Sequence, residues 1–262
     1  MTQKKETHAQ SYCERSVAIA RLSNRSAFTL AEGATHVDTC DNVRKSAFTL
    51  AEVLITLAII GVVAAMTIPT LISSHKKQVI ETKLARFYST MQQATSLSKI
   101  DNGDFSTWDV ITEESIKDEN TGEIIEYKMN SVEWINKYFA PYMKVSALER
   151  PGKLRGYWFM LPDGSAFMPA PQAWNFCPNS NDLHLYYEEK DVQHTGSKFF
   201  TFIFDKESGV QPYFYNWNGT REDLLNNSSL GCARTGKGPG PYCTKLIQLN
   251  NWKIPNDYPV KF

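Results

Sequence analysis

The chain reads as an α+β protein, in which a long N-terminal transmembrane-plus-amphipathic helix packs on a C-terminal antiparallel β-sheet domain. Three observations predict this. Residues 53–74 carry no charged side chain. Residues 75–99 then repeat apolar groups every three or four positions, the period of one helix face. Beyond Trp108, aromatic residues gather in short runs separated by Gly, Pro and Asn, the pattern of strands and turns. The divisions that follow are a leader over 1–47, an N-terminal helix over 48–99 and a globular α+β domain over 100–262. Membrane crossing and assembly fall to residues 48–74.

The apolar run decides the first element. VLITLAIIGVVAAMTI is apolar on every side, so it is not a helix lying on a surface. From Phe48 to Pro69 the only charge is Glu52. About 20 apolar residues at 1.5 Å each span the hydrocarbon core of a bilayer. A secretory signal has a shorter apolar region close to the N-terminus, whereas 47 residues precede this one. A carboxylate at such a place is costly in lipid unless it is partnered, which makes Glu52 a functional residue by default.

The amphipathic continuation carries Ile80, Leu84, Phe87, Tyr88, Met91, Ala94 and Leu97 on one stripe, with Lys83, Arg86 and Gln92 off it. A helix over 48–98 would be about 75 Å long. Pro69 removes one of its hydrogen bonds and crowds the carbonyl four back. DNGD at 101–104 ends it.

KSAFTLAEVLITL at 45–57 resembles the prepilin signal of type IV pilins and type II secretion pseudopilins. The basic residues are Arg44 and Lys45, the small one is Ala47, and the core is Phe48-Thr49-Leu50-Ala51-Glu52. The resemblance implies recognition of Arg44, Lys45, Thr49 and Leu50 by a prepilin peptidase. It implies cleavage between Ala47 and Phe48 and N-methylation of Phe48. It implies that Glu52 pairs with the α-amino group of Phe48 on a neighbouring subunit, and that Pro69 is the helix proline many pilins carry. Two charges desolvated together are favourable only when matched, so Glu52 would select the register of assembly. The residue before the cut is usually Gly in that family; here it is Ala47.

RSAFTLAEG at 25–33 repeats the signal, but GATHVDTCDN follows it and cannot span a bilayer. Either the leader is real and holds a duplicated signal, or translation starts at Val43 and VRKSA is a leader of ordinary length. Flanking charge and resemblance disagree on orientation. Lys76, Lys77, Lys83 and Arg86 after the run outnumber Arg44 and Lys45 before it, which by charge alone places the C-terminal part inside. The resemblance implies the reverse, and the reading adopted is a single-pass inner-membrane protein with a cytoplasmic N-terminus and an outer C-terminal domain.

In the outer domain, NSVEWINKYFAPYMKV at 130–145 predicts a helix. Asn130 is its cap, Glu133 completes a capping box, and Trp134, Ile135, Tyr138, Phe139, Tyr142 and Met143 form its apolar side. GYWFML and SAFMPA around a PDG turn predict a hairpin, as do KFFTFIFD and VQPYFYNW around KESG. CTKLIQL at 243–249 reads as a further strand or a final turn. Cys232 and Cys243 bracket a Gly/Pro-rich loop, a spacing that suits a disulfide in an oxidising compartment. Cys177 is left over.

Few features point to other chemistry. Lys plus Arg equals Asp plus Glu at 28 each. Removing the seven basic and five acidic residues of 1–47 leaves 21 and 23, without the basic footprint of a nucleic-acid reader. Arg234, Lys237 and Lys245 near Tyr242 and Trp252 are the residues that a DNA contact would use, and no nucleic-acid partner is expected. Cys177, His184, His194, Glu188 and Glu189 match no standard zinc spacing. DKESG at 205–209 resembles part of a calcium loop without its bidentate acid, so it reads as a hairpin turn and calcium is the one cofactor considered. No nucleophile elbow, P-loop or dinucleotide fingerprint is present, and no enzyme is expected. The reading is a prepilin-like structural subunit of a secretion pseudopilus or a type IV pilus. Its partners would be prepilin peptidase, other pilin or pseudopilin subunits and an inner-membrane assembly platform. The alternative is a non-polymerising single-pass protein whose outer domain binds a ligand.

Overall fold

The computed structural model describes residues 49–145, 147–149, 156–187, 194–234 and 238–262. Two compact units are distinguished, Met1–Val53 and Leu54–Phe262. In the first, the described residues are 49–53, the opening of helix α1 (Leu50–Asn102). Residues 1–48, with the repeated signal and the cleavage position, lie outside the described residues.

The α1 helix is 53 residues long, about 80 Å at 1.5 Å per residue. It holds helical form through Pro69 and stops where Gly103 turns the chain with φ 79°. From residue 49 to 76 only Ala64 and Ser73 are even half-buried. From Ile80 onward one face packs into the domain, with Leu84, Phe87, Met91 and Ala94 buried. Leu97 departs from the expected stripe at 48 % exposed, and Thr95 and Ser98 are buried in its place. Small polar groups suit a helix that runs close to a strand end, and Thr95 settles its hydroxyl on the Met91 carbonyl at 2.6 Å.

Among the described residues, eight strands form two sheets. β1 (Glu113–Lys117), exposed throughout, and β2 (Ile124–Met129), whose last residue Met129 is buried, make an antiparallel hairpin. β3 (Ala147–Glu149), β4 (Trp158–Met160), β5 (Ala166–Met168), β6 (Trp174–Cys177), β7 (Phe200–Asp205) and β8 (Gly209–Pro212) form a six-stranded antiparallel meander in sequence order. The register aligns Phe159, Phe167, Phe176 and Phe200 across four neighbouring strands. Directly paired residues share a face. That aromatic row receives α1, where Phe87 stacks on Phe176 at 4.3 Å and meets Phe202 at 5.0 Å. The two-residue alternation sends Trp158, Ala166, Met168 and Cys177 to the other face. There they pack with Leu183 of a 3₁₀ segment, Ser180–Tyr187, and with Phe199.

Both expected hairpins form, β4–β5 and β7–β8. The expected helix also forms, as α2 (Ser131–Tyr138), and buries Trp134, Ile135 and Tyr138. Its capping box does not. The Asn130 side chain instead accepts from the Thr112 amide at 2.8 Å and donates to the Val110 carbonyl at 3.0 Å, tying the helix start to the approach of β1. CTKLIQL is a helix, α4 (Cys243–Leu249), where the sequence suggested a strand or turn. Its β-branched residues misled, because the period that matters is that of buried Cys243, Leu246 and Ile247 at helical spacing. A short α3 (Arg221–Asn226), capped by Thr220, was not anticipated.

Candidate processing and assembly site

Thr49 opens α1, and its local geometry explains why a carboxylate follows three residues later. The Thr49 backbone N–H donates to Glu52 Oε2 at 2.8 Å, and the Thr49 hydroxyl donates to the same oxygen at 2.9 Å. The Glu52 amide in turn lies 3.3 Å from Thr49 Oγ1. This is a reciprocal capping box, which satisfies amides that the first turn leaves without helical partners. A carboxylate there also faces the positive end of the helix dipole. Threonine followed three residues later by glutamate, directly before an apolar run, is a signal that the sequence contains.

Leu50 is 78 % exposed. Arg44, Lys45, Ala47 and Phe48 lie outside the described residues. Along the apolar run, polar side chains turn back onto the helix. The hydroxyls of Thr67, Thr70 and Ser74 donate to the carbonyls of Val63, Thr67 and Leu71 at 3.0, 2.8 and 2.9 Å. In a hydrocarbon medium every polar group must be satisfied internally, and these are. Two of them flank Pro69, where the helix lacks a donor. The helix is long and apolar enough to cross a membrane, with a mean hydropathy of 2.3 in its most apolar window.

The outer half of α1 is held by side chains that bond backbone. Lys83 Nζ donates to the carbonyls of Asp163 and Pro178 at 3.0 and 2.6 Å, and Gln92 donates to Val210 at 2.6 Å. Glu81 accepts from the Ile254 amide at 2.8 Å and pairs with Lys253 at 2.9 Å, drawing the C-terminal tail onto the helix. A disulfide joins Cys232 and Cys243, with Cα atoms 4.6 Å apart. It is buried with Leu224, Tyr242 and Leu246, and it ties the α3 end of the loop to the start of α4. Tyr242 donates to the Tyr215 carbonyl at 2.7 Å, and burial pushes its phenol up to about 12.

The residues considered for other chemistry are occupied elsewhere. Cys177 is a free, buried thiol on the second face of the sheet, and burial pushes it up to about 12, away from thiolate chemistry. His184 is exposed, with Nδ1 2.9 Å from the Asn181 carbonyl. Glu188, Glu189 and Lys237 lie outside the described residues. Among the described residues no group of three His, Cys, Asp or Glu is placed to hold a metal ion. Asp205 caps its own hairpin turn, accepting from the Ser208 hydroxyl at 2.6 Å and the Ser208 amide at 2.8 Å. Arg234 bonds the carbonyls of Gly238 and Ser229, Lys245 lies over Trp217, and Trp252 packs on Tyr88, so these groups serve the local fold.

Comparison with known families assigns the two parts separately. Residues 42–68 match the prokaryotic N-terminal methylation motif, which is characteristic of the type IV pilin and pseudopilin signal. Residues 70–262 match a family of unknown function, DUF6613. No curated protein and no solved structure matches the chain. The signal is therefore of prepilin type, the arrangement of a long apolar helix before antiparallel sheets is pilin-like, and by a match over well more than half of its length the chain belongs to the DUF6613 family.

Proposed function

We propose that this chain is a structural subunit, cut between Ala47 and Phe48 by a prepilin peptidase and N-methylated at Phe48, that polymerises through α1 into a type II secretion pseudopilus or a type IV pilus. One observation carries the reading. The methylation motif at 42–68 overlaps the opening of a helix whose apolar run, 53–74, is uncovered except for half-buried Ala64 and Ser73, while its outer half is built into a domain. An uncovered apolar run of that length is unstable in water and needs either lipid or like helices around it. A subunit stored in the inner membrane and then packed into a filament meets both in turn.

The capping box gives Glu52 a partner before assembly. In the stored subunit Thr49 holds the carboxylate, which lowers the cost of keeping it near lipid. Cleavage then frees an amine at Phe48, next to that cap in sequence. In the filament a neighbouring Phe48 amine would take the carboxylate that Thr49 had held. Other subunits and an inner-membrane assembly platform are the partners this reading requires.

Co-expression with a prepilin peptidase is the test. The expected product is shorter by the leader and begins with methylated Phe48 on N-terminal sequencing or intact mass analysis. A stable product that keeps the bond between Ala47 and Phe48 overturns the proposal.

A further inference from the structure

The apolar run of α1 ends at Ser74, and the first charged residues after Glu52 are Lys76 and Lys77. At that point a cavity of about 720 Å³ lies between α1 and the C-terminal tail. That is within the range of small-ligand sites. Its walls are of two kinds. Val79, Ile80, Pro178 and Val260 are among its apolar residues, and Lys76, Lys83, Lys198 and Lys261 are its lysines.

The charges are not balanced from within. Asp182 is the side-chain carboxylate on the lining, and Lys198 takes it at 2.8 Å; Phe262, also on the lining, adds its α-carboxylate, so four lysines face two carboxylates. Lys83 is committed to the two backbone carbonyls that hold α1 on the sheet. Lys76 and Lys261 are exposed, and among the described residues no carboxylate pairs with either. A neighbouring cavity of about 340 Å³ shares His75, Val79 and Lys83 and adds Arg86 and Asp163. Cations with no carboxylate partner among the described residues, beside an apolar wall, match a ligand with an anionic head and a hydrocarbon body. The place matters as much as the composition, because the cavity lining begins at His75, the residue after the apolar run ends. Lysines at a membrane surface attract anionic headgroups, by about 1 kcal/mol each.

We propose that this cavity binds the phosphate headgroup of an anionic phospholipid in the leaflet from which α1 emerges. Lys76 and Lys261 hold the phosphate, and Val79, Ile80 and Val260 lie against the glycerol and the first acyl carbons. The site fixes the height of the domain above the membrane while the subunit awaits assembly. The inference rests on the membrane reading of α1, and the experiment separates the two.

The full chain is reconstituted in nanodiscs of phosphatidylcholine alone, or with phosphatidylglycerol as a quarter of the lipid, and lipids retained on release are read by native mass spectrometry. Retention of phosphatidylglycerol over phosphatidylcholine is expected. In the Lys76→Gln/Lys261→Gln variant, whose substitutions are both exposed, that preference is expected to fall roughly tenfold to thirtyfold. Equal retention of the two lipids, or an unchanged preference in the variant, overturns the site. Displacement of the lipid by an equal concentration of inorganic phosphate also overturns it, since phosphate alone would then be the ligand. A chain that fails to enter nanodiscs of either composition overturns the membrane reading, and the site with it.

Discussion

Glu52 carries two roles that a single substitution can separate. Its carboxylate completes a cap with Thr49, and its charge is the proposed partner of a neighbouring amine. Glutamine serves the N3 position of a capping box as well as glutamate does, but has no charge. Glu52→Gln is therefore expected to leave membrane insertion and the helix start intact and to abolish incorporation into filaments, read by immunoblotting of sheared fibres. Thr49→Ala removes the cap and keeps the charge. It should weaken the helix end by about 1 kcal/mol and reduce incorporation only in part. Normal incorporation of Glu52→Gln would show that the cap is all the acid does. The cap is legible in the sequence, since T-x-x-E before an apolar run is a local pattern. The proposed peptidase-recognition residues upstream of it lie outside the described residues, and only the resemblance assigns them.

Between elements, the β7–β8 turn comes close to α1. Gly209 has φ 75°, a region that residues with a Cβ enter at a cost, and a Cβ built there would lie 2.6 Å from Thr95 Cγ2. Both penalties fall on Gly209→Ala, which is expected to destabilise the domain by about 1–3 kcal/mol, measured as a lower urea midpoint. Adding Thr95→Ser removes the methyl that the new Cβ meets and should recover part of that loss. The turn itself was readable from KESG between two aromatic runs, and so was the β4–β5 turn. The β1–β2 hairpin and β6 were not, because neither is marked by a tight two-residue turn with alternating apolar positions. The role of Asn130 escaped for a related reason. Its local sequence offers a cap, and a segment 18 residues away in sequence competes for the same side chain.

For the molecule as a whole, the C-terminal part depends on one covalent link. Residues 213–262 contribute two short helices, α3 and α4, and their buried cluster centres on the Cys232–Cys243 bridge. Closing an 11-residue separation restricts the unfolded chain by about 3 kcal/mol on the chain-entropy model. Reduction should lower the melting temperature by roughly 6–12 °C for a domain of this size, followed by tryptophan fluorescence with and without dithiothreitol. An unchanged melting temperature after confirmed reduction would mean that packing around Tyr242 and Leu246 suffices. The stabilising effect also requires an oxidising compartment, which agrees with the proposed placement of this domain outside the cytoplasm.

Local periodicity and composition are legible along the chain without its fold. They mark the apolar run, the amphipathic stripe that follows it, the aromatic hairpins and the prepilin-type signal, because each depends on neighbours within a few residues. Only the tertiary structure decided which groups meet across long separations. Cys243 begins a helix rather than a strand because its burial against Cys232, Tyr242 and Leu246 outweighs the β preference of its neighbours. Leu97 faces solvent while Thr95 is buried, because the Gly209 turn leaves room for a small side chain there. The cationic cavity depends on a tail nearly 180 residues further along the chain that folds back to the membrane end of α1, drawn there by Glu81. No local pattern encodes that return, since its energy comes from contacts that exist only once the chain has folded.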